Sequence, residues 1–353
     1  GNIWAGTLAG GLNHFNINKE PFSHYQHQTN DNNSLSHNSV FSFAEDNQGD
    51  LWVATYGGGL NHFNSKNNQV THYNYQADNS NSLNHDIVSR VITSKEGNLW
   101  IGTNQGVDYF NIQTKQFSHY ESQTNNSNSL SHNIVLSMIE DSQGNLWIGT
   151  YKGINHFNTS SKQFTHYRHN PNDATSLSND SVMAIAEDSR GDLWFGTEKG
   201  LNHFNKKTKQ FTHYYHQPND STSLSNDAVI SIREDSHGNI WVGTHSGLNK
   251  FESDRKQFKN YHQAQGLPDD LIYSIEEDNQ GYLWVSTNNG LSRMDPKSEY
   301  FKNYNVSDGL QSNEFAIASS FKSKTGELFF GGVKGFNRFY PENIHDDKQP
   351  PQV

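Results

Sequence analysis

The chain has 353 residues, a formal charge of −11 from 26 Lys and Arg against 37 Asp and Glu, no cysteine, and a hydrophobic fraction of only 32%. Zero cysteines exclude disulfides, thiolate metal sites and a cysteine nucleophile, and an acidic chain without Lys/Arg clusters is a poor nucleic-acid binder, because that affinity comes mainly from phosphate neutralisation. No apolar run reaches the length of a membrane-spanning helix and no N-terminal stretch reads as a signal peptide; opening on Gly1, the sequence reads as a segment of a longer protein.

Charged residues make up only 18%, so the polar excess is Asn, Ser, Gln, Thr and His, while 7 Trp, 16 Tyr and 21 Phe supply the apolar area of a packed core. These aromatics recur. Trp4, Trp52, Trp100, Trp147, Trp194, Trp241 and Trp284, with Phe329 in the eighth place, are separated by 48, 48, 47, 47, 47, 43 and 45 residues. Each unit reads as four short strands A to D, as in residues 135–167: VLSMIED, SQGN, LWIGT, YKG, INHFN, TSSK, QFTHY. The A–B links carry Gly49, Gly144, Gly191 and Gly238, which predicts tight turns with positive φ. Gly102, Gly149, Gly196 and Gly243, after the aromatic strand, predict close approach of a neighbouring sheet. With no sustained 3.6-residue period, helix should be nearly absent.

Four-stranded units of this length predict an all-β fold, a seven-bladed β-propeller. In chain order there are seven A and seven D strands but eight B and eight C strands. Residues 1–16 are then a surplus B–C hairpin, 17–344 are the propeller, with its last blade completed by the N-terminal strand Phe22–Tyr25, and 345–353 are a linker. An eight-bladed ring with one incomplete blade is the alternative.

The A–B and C–D turns are short and uniform, whereas the D–A connections are long and the B–C turns vary. Variable loops on a rigid scaffold are the usual place for recognition, so the D–A/B–C face around the channel mouth is the predicted binding face. Every D–A loop ends on an Asx: Asn38, Asp86, Asn133, Asp180, Asp227, Asp270 and Asn313. Such a ring could hold a polyol or cation, but its uniformity favours turn closure. The residue before it varies (His37, His85, His132, Asn179, Asn226, Asp269, Ser312) and suits a ligand read from different sides; drift between duplicated blades is the competing explanation. A three-His metal site is disfavoured by the spacing of ring neighbours.

Arg90 stands where other inner strands carry Ser42, Ser137, Ala184, Ser231 and Ser274. It would place a cation in the channel for an anionic group, or pair with a carboxylate such as Asp86. Tyr56 and Tyr151 on B–C turns suit sugar stacking or blade packing. The recurrent His of strand C (His14, His62, His156, His203) and strand D (His24, His72, His119, His166, His213) read as scaffold. No phosphate loop, GxSxG elbow, HExxH or EF-hand is present. No catalytic residue, metal or cofactor is therefore assigned.

The segment EDSQGNLWIGTYKGINHFN (140–158) and its copies resemble the two-component regulator propeller repeat. Residues 309–344 resemble that family's closing blade, and Pro350-Pro351-Gln352-Val353 resembles the lead-in to its β-sandwich. The resemblance implies the periplasmic, non-enzymatic sensor part of a membrane-anchored hybrid histidine kinase or diguanylate cyclase. It further implies a small-molecule ligand such as an oligosaccharide, adjacent propeller and β-sandwich domains, and a homodimer. The alternatives are a propeller lyase of the streptogramin-cleaving type, which needs a histidine base and a divalent cation, and a protein-interaction scaffold.

Overall fold

The computed structural model describes residues 22–344, together with the backbone of two strands, Asn2–Thr7 and Gly11–Asn16. Those two strands pair as a separate two-stranded sheet, where the surplus hairpin is expected. Seven four-stranded antiparallel sheets make up the propeller. The inner strands are Val40–Glu45, Val88–Thr93, Val135–Glu140, Val182–Glu187, Val229–Glu234, Ile272–Glu277 and Phe315–Lys322. Each packs against the next, and the seventh packs against the first, so the ring closes at seven blades. The only helical pieces among the described residues are three-residue 3₁₀ turns.

The seventh blade takes its outer strand, Ser23–Tyr25, from the other end of the chain, paired with Gly335–Phe339. Its flanking aromatics anchor the closure. Phe22 packs edge-on against Phe339 and Tyr304, while Tyr25 stacks on Phe336 at 5.0 Å.

The A–B turn glycines adopt positive φ, from +80° to +88°, as their spacing predicts. The glycine after the Trp strand answers to a neighbour: a Cβ on Gly149 would lie 2.5 Å from the Val182 carbonyl of the next inner strand. A third local device was not anticipated. In blade 6 the Asp278 carboxylate closes the A–B turn by accepting from the Gln280 and Tyr282 amides (2.8 and 3.0 Å) with one oxygen. The other oxygen accepts from the Trp284 indole at 2.9 Å. Asp46–Trp52, Asp141–Trp147, Asp188–Trp194 and Asp235–Trp241 repeat it at 2.8–3.1 Å. The rings pack on an aromatic of the following blade, Trp52 on Phe110, Trp147 on Phe204, Trp194 on Phe251 and Trp284 on Phe339, as does the unlatched Trp100 on Phe157.

A second girdle joins neighbouring blades at the turns. The amide and hydroxyl of Ser142 donate to Glu187, those of Ser189 to Glu234, and those of Ser236 to Glu277, at 2.6–2.8 Å.

Burial alone would raise the carboxyls of Asp141, Asp188 and Asp235, but the indole, the turn amides and, for the first two, Lys206 and Arg190 bring them below the ordinary Asp value. Their stabilisation is therefore complete above the ordinary Asp range and is lost as pH falls through the lowered values. Asp278→Ala should cost about 2–4 kcal/mol, since it orphans an indole and two amides that lose a charged acceptor. Asp278→Ser, the residue found at Ser94 in blade 2, keeps a turn acceptor and should cost less. Urea unfolding checks both, and a loss below about 0.5 kcal/mol for the alanine variant would remove the latch from the account.

Candidate functional site

The D–A loops and B–C turns share a face, as expected, because the Asx ring ties them together. Asn38, Asp86, Asn133, Asp180, Asp227, Asp270 and Asn313 each accept, through the side chain, a backbone amide from the start of their own loop, at 2.6–3.0 Å. The carbonyls of Asn38, Asp86, Asp180, Asp227 and Asn313 take a B–C turn amide of the preceding blade, such as Gly153 N to Asp180 O at 2.8 Å and Gly335 N to Asn38 O at 2.7 Å. The Asx ring is architecture.

The varied residues before the ring also close a turn. His37, His85 and His132 accept through Nδ1, and Asn179, Asn226 and Asp269 through Oδ1, from the amide two residues on, at 2.8–3.1 Å. This leaves Nε2 of each histidine as a donor. The structure brings some of these side chains to their own B–C turn: His132 stands edge-on to Tyr151 at 6.0 Å, and Asn226 donates to Ser246 at 3.3 Å. Tyr56 lies against Phe41 at 5.3 Å. Tyr56 and Tyr151 are 48% and 45% exposed, and Tyr75 and Tyr215 on D–A loops are 50% and 43% exposed, so this rim carries four accessible rings.

Behind the rim, the inner strands enclose a channel cavity of about 520 Å³. Of the side chains picked out by sequence, Arg90 lines it, and the His/Asx set and the two tyrosines do not. The cavity runs from the level of Arg90 toward the A–B turns, the face opposite the rim. Arg90 does not pair with Asp86, whose Oδ1 is occupied by the Tyr75 amide; its guanidinium donates to its neighbour Ser89 O at 2.6 Å. Burial lowers its pKa to about 10, which leaves it charged at neutral pH.

Sequence reasoning missed the other channel groups. Arg233 and Glu276, side by side in blades 5 and 6, pair at 3.1 Å, and Lys322 occupies the place held by Glu in five blades. The signal was present: reading the fifth and sixth positions of the inner strands as rings exposes both.

The scaffold histidines behave as read. His62, His156 and His203 lie 4.2–4.5 Å from the blade tryptophan, and His24, His72, His119, His166 and His213 reach backbone carbonyls. Asp46, Asp50 and His62 are close enough together to suggest a metal centre. Their acceptors are already engaged by Trp52, by turn amides, by Ser65 and by each other.

His119 is distinct. Its Nε2 donates to Ser80 O at 2.9 Å and its Nδ1 meets a carboxylate oxygen of Asp108, whose carboxyl burial pushes up, at 2.7 Å; with Asp108 ionised both nitrogens carry protons and the ring is an imidazolium. The hydrogen bond to Asp108 lifts its pKa to about 9.

A seven-bladed propeller with one latched tryptophan per blade and a lined axial channel belongs to a class of binding and catalytic scaffolds, and the comparisons narrow it. Residues 34–57 match the two component regulator propeller, and residues 94–312 match the SMP-30/Gluconolactonase/LRE-like region. With more than half its length in that second match, the chain belongs to the SMP-30/gluconolactonase/LRE-like family and is built of two-component regulator propeller repeats. Among solved structures it is similar to the extracellular domain of the hybrid two-component system BT3049 from B. thetaiotaomicron. There the identity is 30% and the TM-score 0.80, covering 97% of this chain and 44% of that one. It thus spans less than half of that domain. Two further likenesses show the fold alone. The extracellular domain of the one-component system BT4673 from B. thetaiotaomicron has 24% identity and a TM-score of 0.53, covering 87% of this chain and 42% of that one. Virginiamycin B lyase from Staphylococcus aureus, solved with quinupristin, has 12% identity and a TM-score of 0.66, covering 90% and 98%. No curated protein matches the chain.

The Asp108–His119 pair yields a pH prediction. A raised His pKa gives stabilisation that is complete below the ordinary value of 6.5 and is lost as pH rises through about 9. The melting temperature of the parent chain should fall between pH 7 and 10 relative to Asp108→Asn, which installs the amide of the equivalent Asn61, Asn155, Asn202, Asn249 and Asn337. Parallel curves would show that the pair is not an ion pair.

Proposed function

We propose that the chain is a non-enzymatic, ligand-sensing propeller from the extracytoplasmic part of a membrane-anchored signalling receptor, of the hybrid histidine kinase or diguanylate cyclase type. The observation that carries this reading is the likeness, over 97% of the chain, to the extracellular domain of a hybrid two-component system. A periplasmic location, a homodimeric receptor, and further propeller and β-sandwich domains in the same polypeptide belong to the same proposal.

The rim of the D–A/B–C face is the proposed recognition surface for a small polar ligand such as an oligosaccharide. Support comes from chemistry: exposed Tyr56 and Tyr151 offer stacking faces, His85 and His132 offer Nε2 donors, and Asn179, Asn226 and Asp269 offer amide and carboxylate groups across the ring. Signalling then requires a second arrangement of the receptor with a different affinity for the ligand.

The lyase reading keeps two supporting observations, the match to the SMP-30/Gluconolactonase/LRE-like region and the shared fold with virginiamycin B lyase. Against it, no histidine lines the channel cavity among the described residues.

Thermal-shift screening of the purified chain against oligosaccharides separates these readings. A ligand at 100 Kd should stabilise by about 2.7 kcal/mol, and Tyr151→Ala or His132→Ala should abolish the gain. Metal-dependent release of product from a saccharide or macrolactone would overturn the sensor reading. Hits unaffected by the rim substitutions would displace the site from this face.

A further inference from the structure

The channel is chemically unlike the rest of the molecule. On a chain of net charge −11, the cavity is lined by four cations, Arg90, Arg233, Lys322 and Lys324, and two carboxylates, Glu45 and Glu276. Both carboxylates are already held. Glu276 pairs with Arg233 at 3.1 Å and accepts from Ser320 at 3.1 Å, and Glu45 accepts from the Lys324 amide at 2.8 Å. Lys324 Nζ is drawn to Asp46 O at 3.0 Å. Arg90 is left with one backbone carbonyl and no carboxylate, and its half-buried guanidinium has donors to spare.

The other inner strands carry short side chains at this level, and their hydroxyls turn away from the channel into the seams between strands: Ser42 with Val91, Ser137 to Val182 O, Ser274 with Ser286, and Ser231 beside Gly243. Arg90 is therefore the one long side chain at the third position, and an Arg fork suits an oxyanion. The remaining wall, including Phe43, Met138, Met183, Ile230 and Ile275, is apolar, which is how small-molecule pockets are usually built.

We propose that the axial channel, entered from the A–B turn face, binds a small organic anion: an apolar body with one carboxylate, phosphate or sulfate head held by Arg90. This site is separate from the rim and does not rest on the sensor reading.

The test uses the whole chain and titration calorimetry with phenylacetate, phenyl phosphate and phenyl sulfate. Benzyl alcohol serves as the neutral analogue, and inorganic phosphate as the head without the body. The design has a built-in folding control, because Arg90→Ser installs the residue that the repeat already carries at this position in Ser137. At least one aromatic anion should bind, benzyl alcohol should not, and affinity should fall as salt is raised. Arg90→Ser should weaken that binding roughly ten-fold or more at unchanged melting temperature. No binding by any of the three anions, equal binding of benzyl alcohol or inorganic phosphate, or binding indifferent to Arg90→Ser would each overturn the proposal. A response of the rim variants to saccharide, measured on the same protein, is unaffected by any of these outcomes.

Discussion

The fold depends on a carboxylate in a tight turn. In five blades an Asp at the end of the inner strand accepts two backbone amides and an indole, and so does three jobs with one side chain. It closes the A–B hairpin, satisfies a buried Trp N–H that would otherwise be stranded, and sets the plane of the ring. The latched rings reach the next blade, where Trp147 meets Phe204 and Trp194 meets Phe251, and Trp100 makes the same contact with Phe157 without a latch. A chain this poor in apolar residues can afford a core only if its few large rings serve two blades at once. The hydrophobic clusters accordingly straddle adjacent blades, as the one built around Trp147, Ile154, Val182 and Phe195 does.

Blade 2 departs from this scheme in several positions together. Ser94 replaces the latch aspartate and keeps only the turn, accepting from Asn98 N at 3.1 Å. Tyr109 replaces the stacked histidine and is tied to Glu96 and Asn98 at 2.8 Å. Asp108 replaces the buried amide and is neutralised by His119, while Thr93 replaces the girdle glutamate. The same blade carries Arg90. These changes reduce the number of carboxylates along the channel side of the blade and leave its arginine uncompensated, so blade 2, together with Lys322 and Lys324 of blade 7, makes the channel positive.

Most of the fold was legible because the repeat multiplies weak signals. One LWIGT segment says little, but eight aromatic strands at nearly equal spacing fix the strand order, the turns and the closure by Ser23–Tyr25. The Asx ring was legible as turn chemistry for the same reason. The site was less so. Departures from a repeat mark where to look, as Arg90 did, but whether a side chain reaches the channel depends on strand twist and on partners from other blades. The Arg233–Glu276 pair joins residues 43 apart on neighbouring inner strands. His37, His85 and His132 looked like a graded recognition set. Their shared Nδ1 contacts show that histidine, asparagine, aspartate and serine are interchangeable in this turn, so variation there is weak evidence for recognition.

The most direct test of the latch is the behaviour of the indole protons. In proton–nitrogen correlation spectra followed after transfer to D₂O, the Nε1–H signals of Trp52, Trp147, Trp194, Trp241 and Trp284 should persist well beyond that of Trp100, whose turn offers Ser94 in place of an aspartate. Substituting any one latch aspartate by alanine should bring its own tryptophan to the Trp100 rate. If Trp100 exchanges as slowly as the other five, the carboxylate is not what holds the ring.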